Sequence, residues 1–282
     1  MLGTWLAIAN GWSRASCCIY YTQQKACHWT VLASLYFSGK RPRFGNFMKL
    51  TLSSYNIHRC YGRDGEYNPS RIREVLRMTK ADVIALQEVE ILRDRPGLLD
   101  YFCEDSSWTA IHGPTLERAS ADYGNAMLTS LPIRSLSRVD ISQPGREPRG
   151  ALDAVLQAGQ ASLRVLATHL GLWPAERRAQ VRQLLNRLQA ETEDSKQCDF
   201  SVLMGDLNEW FLWGRPLRLL QAHFRPARAP ATFPSGYPLF ALDRIWLEPG
   251  NLLSSVRTLN NPLTQIASDH LPLLARVETG TS

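Results

Sequence analysis

From Lys49 onward the apolar and polar positions follow periods that name the elements. Leu50, Leu52, Ser54 and Asn56 alternate with Thr51, Ser53, Tyr55 and Ile57, the period of a β-strand. Glycine and charge from Tyr61 to Glu66 mark a loop. Asn68-Pro69 is a helix start, with Asn as N-cap and Pro at the first helical position. Ile72, Val75, Leu76 and Thr79 then share one helical face. Asp82-Val83-Ile84-Ala85-Leu86 predicts a second, buried strand ending at Gln87-Glu88. Strand, helix, strand in this order predicts a parallel crossover, which would bring Asn56 and Glu88 to one sheet edge.

The same period reading continues down the chain. A short helix is expected over 97–103 and a strand from Trp108 to His112. Another strand starts at Tyr123-Gly124-Asn125-Ala126-Met127-Leu128 and is closed by Pro132. Ala151 to Gln157 and Leu163 to Thr168 flank Ala158-Gly159-Gln160 as an antiparallel hairpin whose second arm ends at His169. Pro174 opens an amphipathic helix with Val181, Leu184, Leu185 and Leu188 on one face. Phe211 to Ala222 reads as helical, interrupted by Gly214 and Pro216, and a Pro- and Gly-rich loop fills 226–238. Leu242 to Leu247 and Leu271 to Val277 close the chain as strands. Mixed strands and helices in this order predict two packed sheets with outer helices, a four-layer α/β sandwich.

Ser201-Val202-Leu203-Met204-Gly205-Asp206-Leu207-Asn208 is the most informative stretch. An apolar run ends in Gly, and a carboxylate and an amide follow two residues apart. This reads as a buried strand presenting a site at its C-terminal end, with strand period pointing Asp206 and Asn208 the same way. The same residues also read as a strand ending in an Asp-x-Asn turn.

Composition changes the picture in one respect. The chain of 282 residues carries a net charge of +6. Residues 1–47 hold Arg14, Lys25, Lys40, Arg41 and Arg43 and no acid, so the remaining 27 basic residues nearly balance 26 acidic ones. The body lacks the basic excess of a non-specific DNA binder, although a local patch stays open. Cysteines are scattered with no C-x-x-C pair, which argues against a zinc site and suits a reducing, cytoplasmic compartment. Residues 1–47 show no clear period, and their longest apolar stretch, Val31 to Phe37, is too short to span a bilayer. Nor do they have the n-region and long apolar core of a secretory signal. They are expected to be an N-terminal extension or a start-site artefact, with residues 48–282 forming the functional domain.

Acids, amides and histidines recur at the expected strand ends: Asn56, Glu88, His169, Asp206, Asn208, Asp243, Asp269 and His270. Each alone has a structural explanation. Asn56 or Asp269 could cap a turn, Glu88 could be a solvated strand end, His169 could be a hydrogen-bonded core residue, and Asp243 could pair with Arg244. Eight such placements together point to a site.

The motifs around them resemble the endonuclease/exonuclease/phosphatase superfamily, whose members include DNase I-like nucleases, apurinic endonucleases, sphingomyelinases and inositol polyphosphate phosphatases. The matching segments are Tyr55-Asn56-Ile57, Ile84 to Val89, Gly124-Asn125-Ala126, Thr168-His169-Leu170, Gly205 to Asn208, Leu242 to Ile245 and Ser268 to Pro272. They occur in the family's order. The chain is also similar to the small bacterial-type metal-dependent hydrolases of that superfamily. The resemblance implies a DNase I-like four-layer fold and a Mg²⁺- or Mn²⁺-dependent phosphoesterase in which water attacks phosphorus in line.

Within that implied chemistry, Glu88 is a hard oxygen ligand suited to Mg²⁺, with Asn56 and Asp269 as further metal candidates. Asp206 can orient or deprotonate the water, and Asn208 can donate to a non-bridging oxygen. His270 can serve as general base or phosphate contact, with Asp243 fixing its tautomer. His169 is a second phosphate ligand or a proton donor. Asn125 and Arg149 are phosphate contacts, and Arg146 is a competing alignment for Arg149. One metal or two would fit.

The expected partner is a phosphodiester, whether nucleic acid, lipid head group or small molecule, with a monomeric enzyme and no obligate protein partner. Some relatives that cut duplex DNA carry Arg two residues after the metal Glu; Glu90 here would lie near the substrate path and argues against duplex DNA. Trp173, Trp210, Trp213 and Trp246 are expected near the site edge, to stack on a ligand or pack the rim. A non-catalytic binding module with this fold would carry a damaged constellation, and none of the positions is damaged. A membrane-attached form would need residues 1–47 as its anchor.

Overall fold

The computed structural model describes residues 48–190, 198–225 and 229–279. The expected N-terminal extension lies outside the described residues. Among those described, eleven strands form two sheets, with five α-helices on their outer faces.

The first sheet has the order β10-β11-β1-β2-β4-β3. Its strands are β1 (Met48–Asn56), β2 (Val83–Leu92), β3 (Thr109–Glu117), β4 (Ala121–Thr129), β10 (Leu253–Thr258) and β11 (Leu273–Thr279). The second has the order β5-β6-β7-β8-β9. It is built from β5 (Ile133–Asp140), β6 (Gly150–Ala158), β7 (Ala161–His169), β8 (Phe200–Asp206) and β9 (Asp243–Glu248). Each sheet has one parallel pair, β1/β2 and β7/β8, and the other pairs are antiparallel.

Three apolar clusters make the layers. Leu52, Val83, Ala85 and Met127 of the first sheet meet Leu152, Val165, Val202 and Ile245 of the second in the central core. Ile84 and Leu86 point the other way, onto helix α1 (Pro69–Thr79) and α2 (Leu98–Cys103). Leu203 and Trp246 do the same in the second sheet, under α3 (Pro174–Gln189) and α4 (Arg215–His223). Both faces of these strands are buried, so they read as continuous apolar runs. A short helix, α5 (Pro262–Ala267), completes the outer layer of the first sheet.

The crossover helices form where the sequence places them. Asn68 Oδ1 accepts from the Arg71 N–H at 3.2 Å and Pro69 opens α1, while Ile72, Val75, Leu76 and Thr79 are buried. Pro216 sits in the first turn of α4 and Gly214 is its N-cap, so the two residues expected to interrupt that helix begin it. Three elements were absent from the sequence reading: β5, β10 and α5. β5 and β10 are edge strands with mostly exposed side chains, and neither carries an apolar alternation.

Candidate active site

The two parallel crossovers aim their C-terminal strand ends at one place. β1 packs across from β8 and β9, and β2 from β7 and β8. Asn56 ends β1, His169 ends β7 and Asp206 ends β8, and all three are buried.

Glu88 departs from its expected position. β2 does not stop there but runs on to Leu92, and the register slips between Leu86 and Val89. Glu88 sits in this bulge with φ of 54°, a left-handed conformation that costs a non-glycine residue about 1–2 kcal/mol. The bulge turns Glu88 out of the ladder toward Asn56, whose Nδ2 donates to Glu88 Oε1 and to Asp206 Oδ2, both at 3.1 Å. Asn56 thereby ties the two carboxylates together. Its own oxygen accepts from the His58 N–H at 3.0 Å.

Asp206 is the hub. Its Oδ1 accepts from the Asn208 N–H at 2.9 Å, the Asx turn that ends β8. Asn208 therefore does not continue the strand period; it has φ of 50° and its amide turns back to donate to the Leu170 carbonyl at 2.9 Å. Asp206 Oδ2 faces His169 Nε2 at 3.5 Å and His270 Nε2 at 3.7 Å. Gly205, just before it, has φ of +149°, and a Cβ there would run into the Thr168 carbonyl oxygen of β7. Only glycine lets β8 approach β7 this closely.

The two imidazoles have opposite characters. His270 Nδ1 donates to Asp243 Oδ2 at 2.8 Å, and Thr232 Oγ1 donates to the same oxygen at 2.6 Å. Burial works against protonation of His270, but Asp243 and Asp206 outweigh it and raise its pKa to about 10. It is an imidazolium at neutral pH. His169 is buried beside the Arg149 guanidinium, and burial together with that charge lowers its pKa to about 3. It stays neutral. Arg149 NH1 lies 3.2 Å from His169 Nδ1 and can only donate, as can the Asn208 amide on the Nε2 side, so the neutral ring accepts from one of them. Asn208 Nδ2 is 3.0 Å from that Nε2. This corner therefore holds more N–H donors than acceptors. Among the described residues the buried Arg149 Nε has no hydrogen-bond partner.

Arg149, not Arg146, lies in this cluster. Its NH1 also pairs with Glu147 at 3.2 Å, while Arg146 stands over the Trp173 ring at 4.6 Å. Asn125 lies nearby in β4, donating to the Gly150 carbonyl at 2.9 Å. Arg149 and Asn125 line one wall of a cavity of about 390 Å³ between the β3–β4 and β5–β6 ends, so this cavity adjoins the histidine-carboxylate cluster at that wall.

Asp269 is at the rim, about one-third exposed, with Oδ1 4.0 Å from His58 Nδ1. Burial pushes the Glu88 carboxyl above the usual range. Asp269 and Asp206 add to that push, while the Asn56 hydrogen bond and His58 oppose it. Glu90 lies near Cys60 and Tyr67, whose ionisation it opposes, on the side of the loop after β1.

Some site neighbours escaped the sequence reading. Tyr123 is near Glu88 and Arg149, and burial first, then Glu88, holds its hydroxyl protonated. Thr232 fixes Asp243 from within the Pro-Gly loop, and Ser268 Oγ donates to the Asn56 carbonyl at 2.8 Å. His58 opens a run of three left-handed residues, His58, Arg59 and Cys60, directly after β1. Tyr123 and Ser268 were flanking letters of recognised motifs; Thr232 and His58 carried no signal. Of the four tryptophans, Trp173, Trp210 and Trp213 are at the exposed edge. Trp246 is not: it alternates with Asp243 along β9, points to the helix layer and stacks on Phe224 at 6.2 Å.

Comparison with known proteins places this geometry. The sequence model described as Endonuclease/Exonuclease/phosphatase family matches residues 53–270. The uncharacterized protein YbhP of Escherichia coli (strain K12) is 30% identical over 254 residues, covering 82% of this chain and 96% of that one. An endonuclease/exonuclease/phosphatase from Beutenbergia cavernae superposes with a TM-score of 0.69 at 20% identity, covering 83% of this chain and 72% of that one. ANGEL2, a 2′,3′-cyclic phosphatase solved with adenosine-2′,3′-vanadate, superposes with a TM-score of 0.62 at 16% identity, covering 84% and 97%.

Proposed function

The chain belongs to the Endonuclease/Exonuclease/phosphatase family, whose members are hydrolases of phosphoester bonds, and from that premise we propose that it is a Mg²⁺- or Mn²⁺-dependent phosphodiesterase. One observation carries the reading. A carboxylate side (Glu88, Asp206, Asp269) and a donor side (Arg149, His169, Asn208, His270) meet at Asp206. A phosphodiester in hydrolysis needs both a cation and hydrogen-bond donors around its oxygens.

The residues fit a hard divalent ion. Burial pushes the Glu88 carboxyl up, and the nearby Asp269 and Asp206 add to that push. Mg²⁺ takes only one or two carboxylates and keeps water. Among the described residues no group of three or more His, Cys, Asp or Glu side chains is placed to hold a metal ion by itself. Glu88 would hold the ion, with Asn56 Oδ1 and Asp269 as neighbours. When bound, it supplies neutralisation of phosphoryl charge.

The chain's own groups do the rest. Asp206, held by the Asn208 N–H and Asn56, orients the attacking water and takes its proton. Asp243 and Thr232 hold His270 as an imidazolium, which donates to a phosphoryl oxygen. The neutral His169 is a further phosphate contact. Arg149 and Asn208 bind the non-bridging oxygens, and Asn125 shapes the wall beside them. No obligate protein partner enters this scheme, and we place the enzyme as a monomer in the cytoplasm. Free Cys60 and Cys103 suit that compartment.

Hydrolysis of bis(p-nitrophenyl) phosphate tests this. Turnover should require Mg²⁺ or Mn²⁺, stop with chelator and be lost in Glu88→Ala and His270→Ala. Turnover that chelator leaves intact would refute the metal, and turnover that survives both substitutions would refute the site.

A further inference from the structure

The loops that follow the site-bearing strands are unusually apolar where they meet solvent. Leu172 and Trp173 come directly after His169, and both are exposed. After Asn208 comes Trp210-Phe211-Leu212-Trp213, with Leu212 65% and Trp213 72% exposed. Just before Asp243, Tyr237 is 74% and Leu239 60% exposed. Monomers rarely leave so many large apolar side chains together without a use for them.

These loops form one rim. β7 and β8 are parallel, so their following loops leave the same sheet edge. Trp210 packs on Phe240 at 4.9 Å and on Phe233 at 5.6 Å, joining the second loop to the third. Phe233 in turn lies 5.0 Å from the His270 ring. The rim is thus continuous with the wall of the site. Beneath it the buried Arg177–Glu209 pair, at 3.3 Å, braces the first loop against the second. Arg177 also donates to the Leu172 carbonyl at 2.5 Å.

Charge distinguishes among occupants. The segments 170–175, 210–218 and 229–242 contain no Asp or Glu. Each loop has an arginine at its margin. Arg146 lies over Trp173, and exposed Arg215 follows Trp213 by two residues. Exposed Arg63 is so near Gly236 that a Cβ there would meet its guanidinium. Trp, Tyr, Phe and Leu projecting from loop tips with arginines set back around them match a lipid–water interface. There the apolar side chains enter the acyl boundary, and cations meet the phosphates. A second copy of this chain would set these arginines against one another. Among the described residues no helix is long and apolar enough to cross a membrane.

We propose that this rim docks the protein on an anionic phospholipid surface and sets the site against the head groups. That a lipid phosphodiester is then the substrate rests on the phosphodiesterase reading above; docking itself does not.

The test is sedimentation of the full chain with vesicles of phosphatidylcholine alone or with a third phosphatidylglycerol. Tryptophan emission is followed in parallel, and Leu212→Ser/Trp213→Ser serves as the variant. Circular dichroism and thermal melting would show that the variant folds. The wild type should sediment with the anionic vesicles and shift its emission to the blue. The variant should bind about tenfold or more weakly. Three results would overturn the proposal: no binding by the wild type; binding that the variant retains; or a loss in the variant of self-association or single-stranded oligonucleotide binding with vesicles ignored. None of these readouts depends on hydrolysis, so the docking surface and the phosphodiesterase can fail separately.

Discussion

Two strand–helix–strand crossovers build this site, and they deliver different chemistry. The first, β1–α1–β2, supplies Asn56 and Glu88. The second, β7–α3–β8, supplies His169, Asp206 and Asn208. Both run two parallel strands to one edge, yet their ends differ. β2 continues through a bulge that turns Glu88 sideways, whereas β8 stops dead in an Asx turn closed by Asn208. The first end presents the Glu88 carboxylate, held by the Asn56 amide, where the proposed cation would bind. The second gathers N–H donors around one buried carboxylate, with Arg149 from the β6 edge completing it. The lesson is that a shared topology fixes where side chains meet, while the local break in each strand decides which atoms face the substrate.

The sharpest way to break this division is at its hub. Asp206→Asn keeps the size and the Asn208 contact but removes the base and the charge that His270 and His169 face. Its kcat should fall about 10³-fold or more, with KM little changed, in steady-state hydrolysis of a phosphodiester. Next, Arg149→Ala touches only the donor side. It should raise KM and lower kcat/KM by about 10² while the metal requirement stays as in the wild type.

Gly205→Ala tests the backbone rather than the chemistry. The added Cβ meets the Thr168 carbonyl, and the φ of +149° suits glycine alone. Stability should fall by about 2 kcal/mol or more in urea unfolding, since β7 and β8 must part.

The smallest effects separate the two histidines. His169 has a folded pKa of about 3, below its unfolded value. The unfolded chain takes up the proton first, so stability is complete above about pH 6.5 and declines as pH falls toward 3. For His270 the folded pKa of about 10 lies above the unfolded value. Its contribution is complete below about pH 6.5 and declines as pH rises toward 10. Urea midpoints of the metal-free protein across pH should show both slopes. His169→Gln should flatten the acid limb alone and His270→Gln the alkaline limb alone.

Much of this was legible in the residues, for a physical reason. Strands such as β8, buried on both faces, announce themselves as apolar runs, and Asn68-Pro69 and Pro174 announce helices. The convergence of Asn56 with Glu88 followed from the parallel crossover. Two of the four edge strands, β5 and β10, stayed hidden: Ile133–Asp140 has little buried surface, so its letters carry no period. The bulge at Glu88 was invisible too, because a register slip leaves composition untouched. Trp246 was misplaced by proximity in sequence to Asp243, when strand alternation sends neighbours to opposite faces. Thr232 reaches Asp243 only through the tertiary fold of a loop, which no period describes.

The division between the two ends is tested most directly by calorimetric titration of Mn²⁺ into the wild type, Glu88→Gln and Arg149→Ala. The account predicts that Glu88→Gln binds Mn²⁺ at least about tenfold more weakly. Arg149→Ala should bind it as the wild type does. Wild-type affinity in Glu88→Gln, or equal loss in both variants, would contradict it.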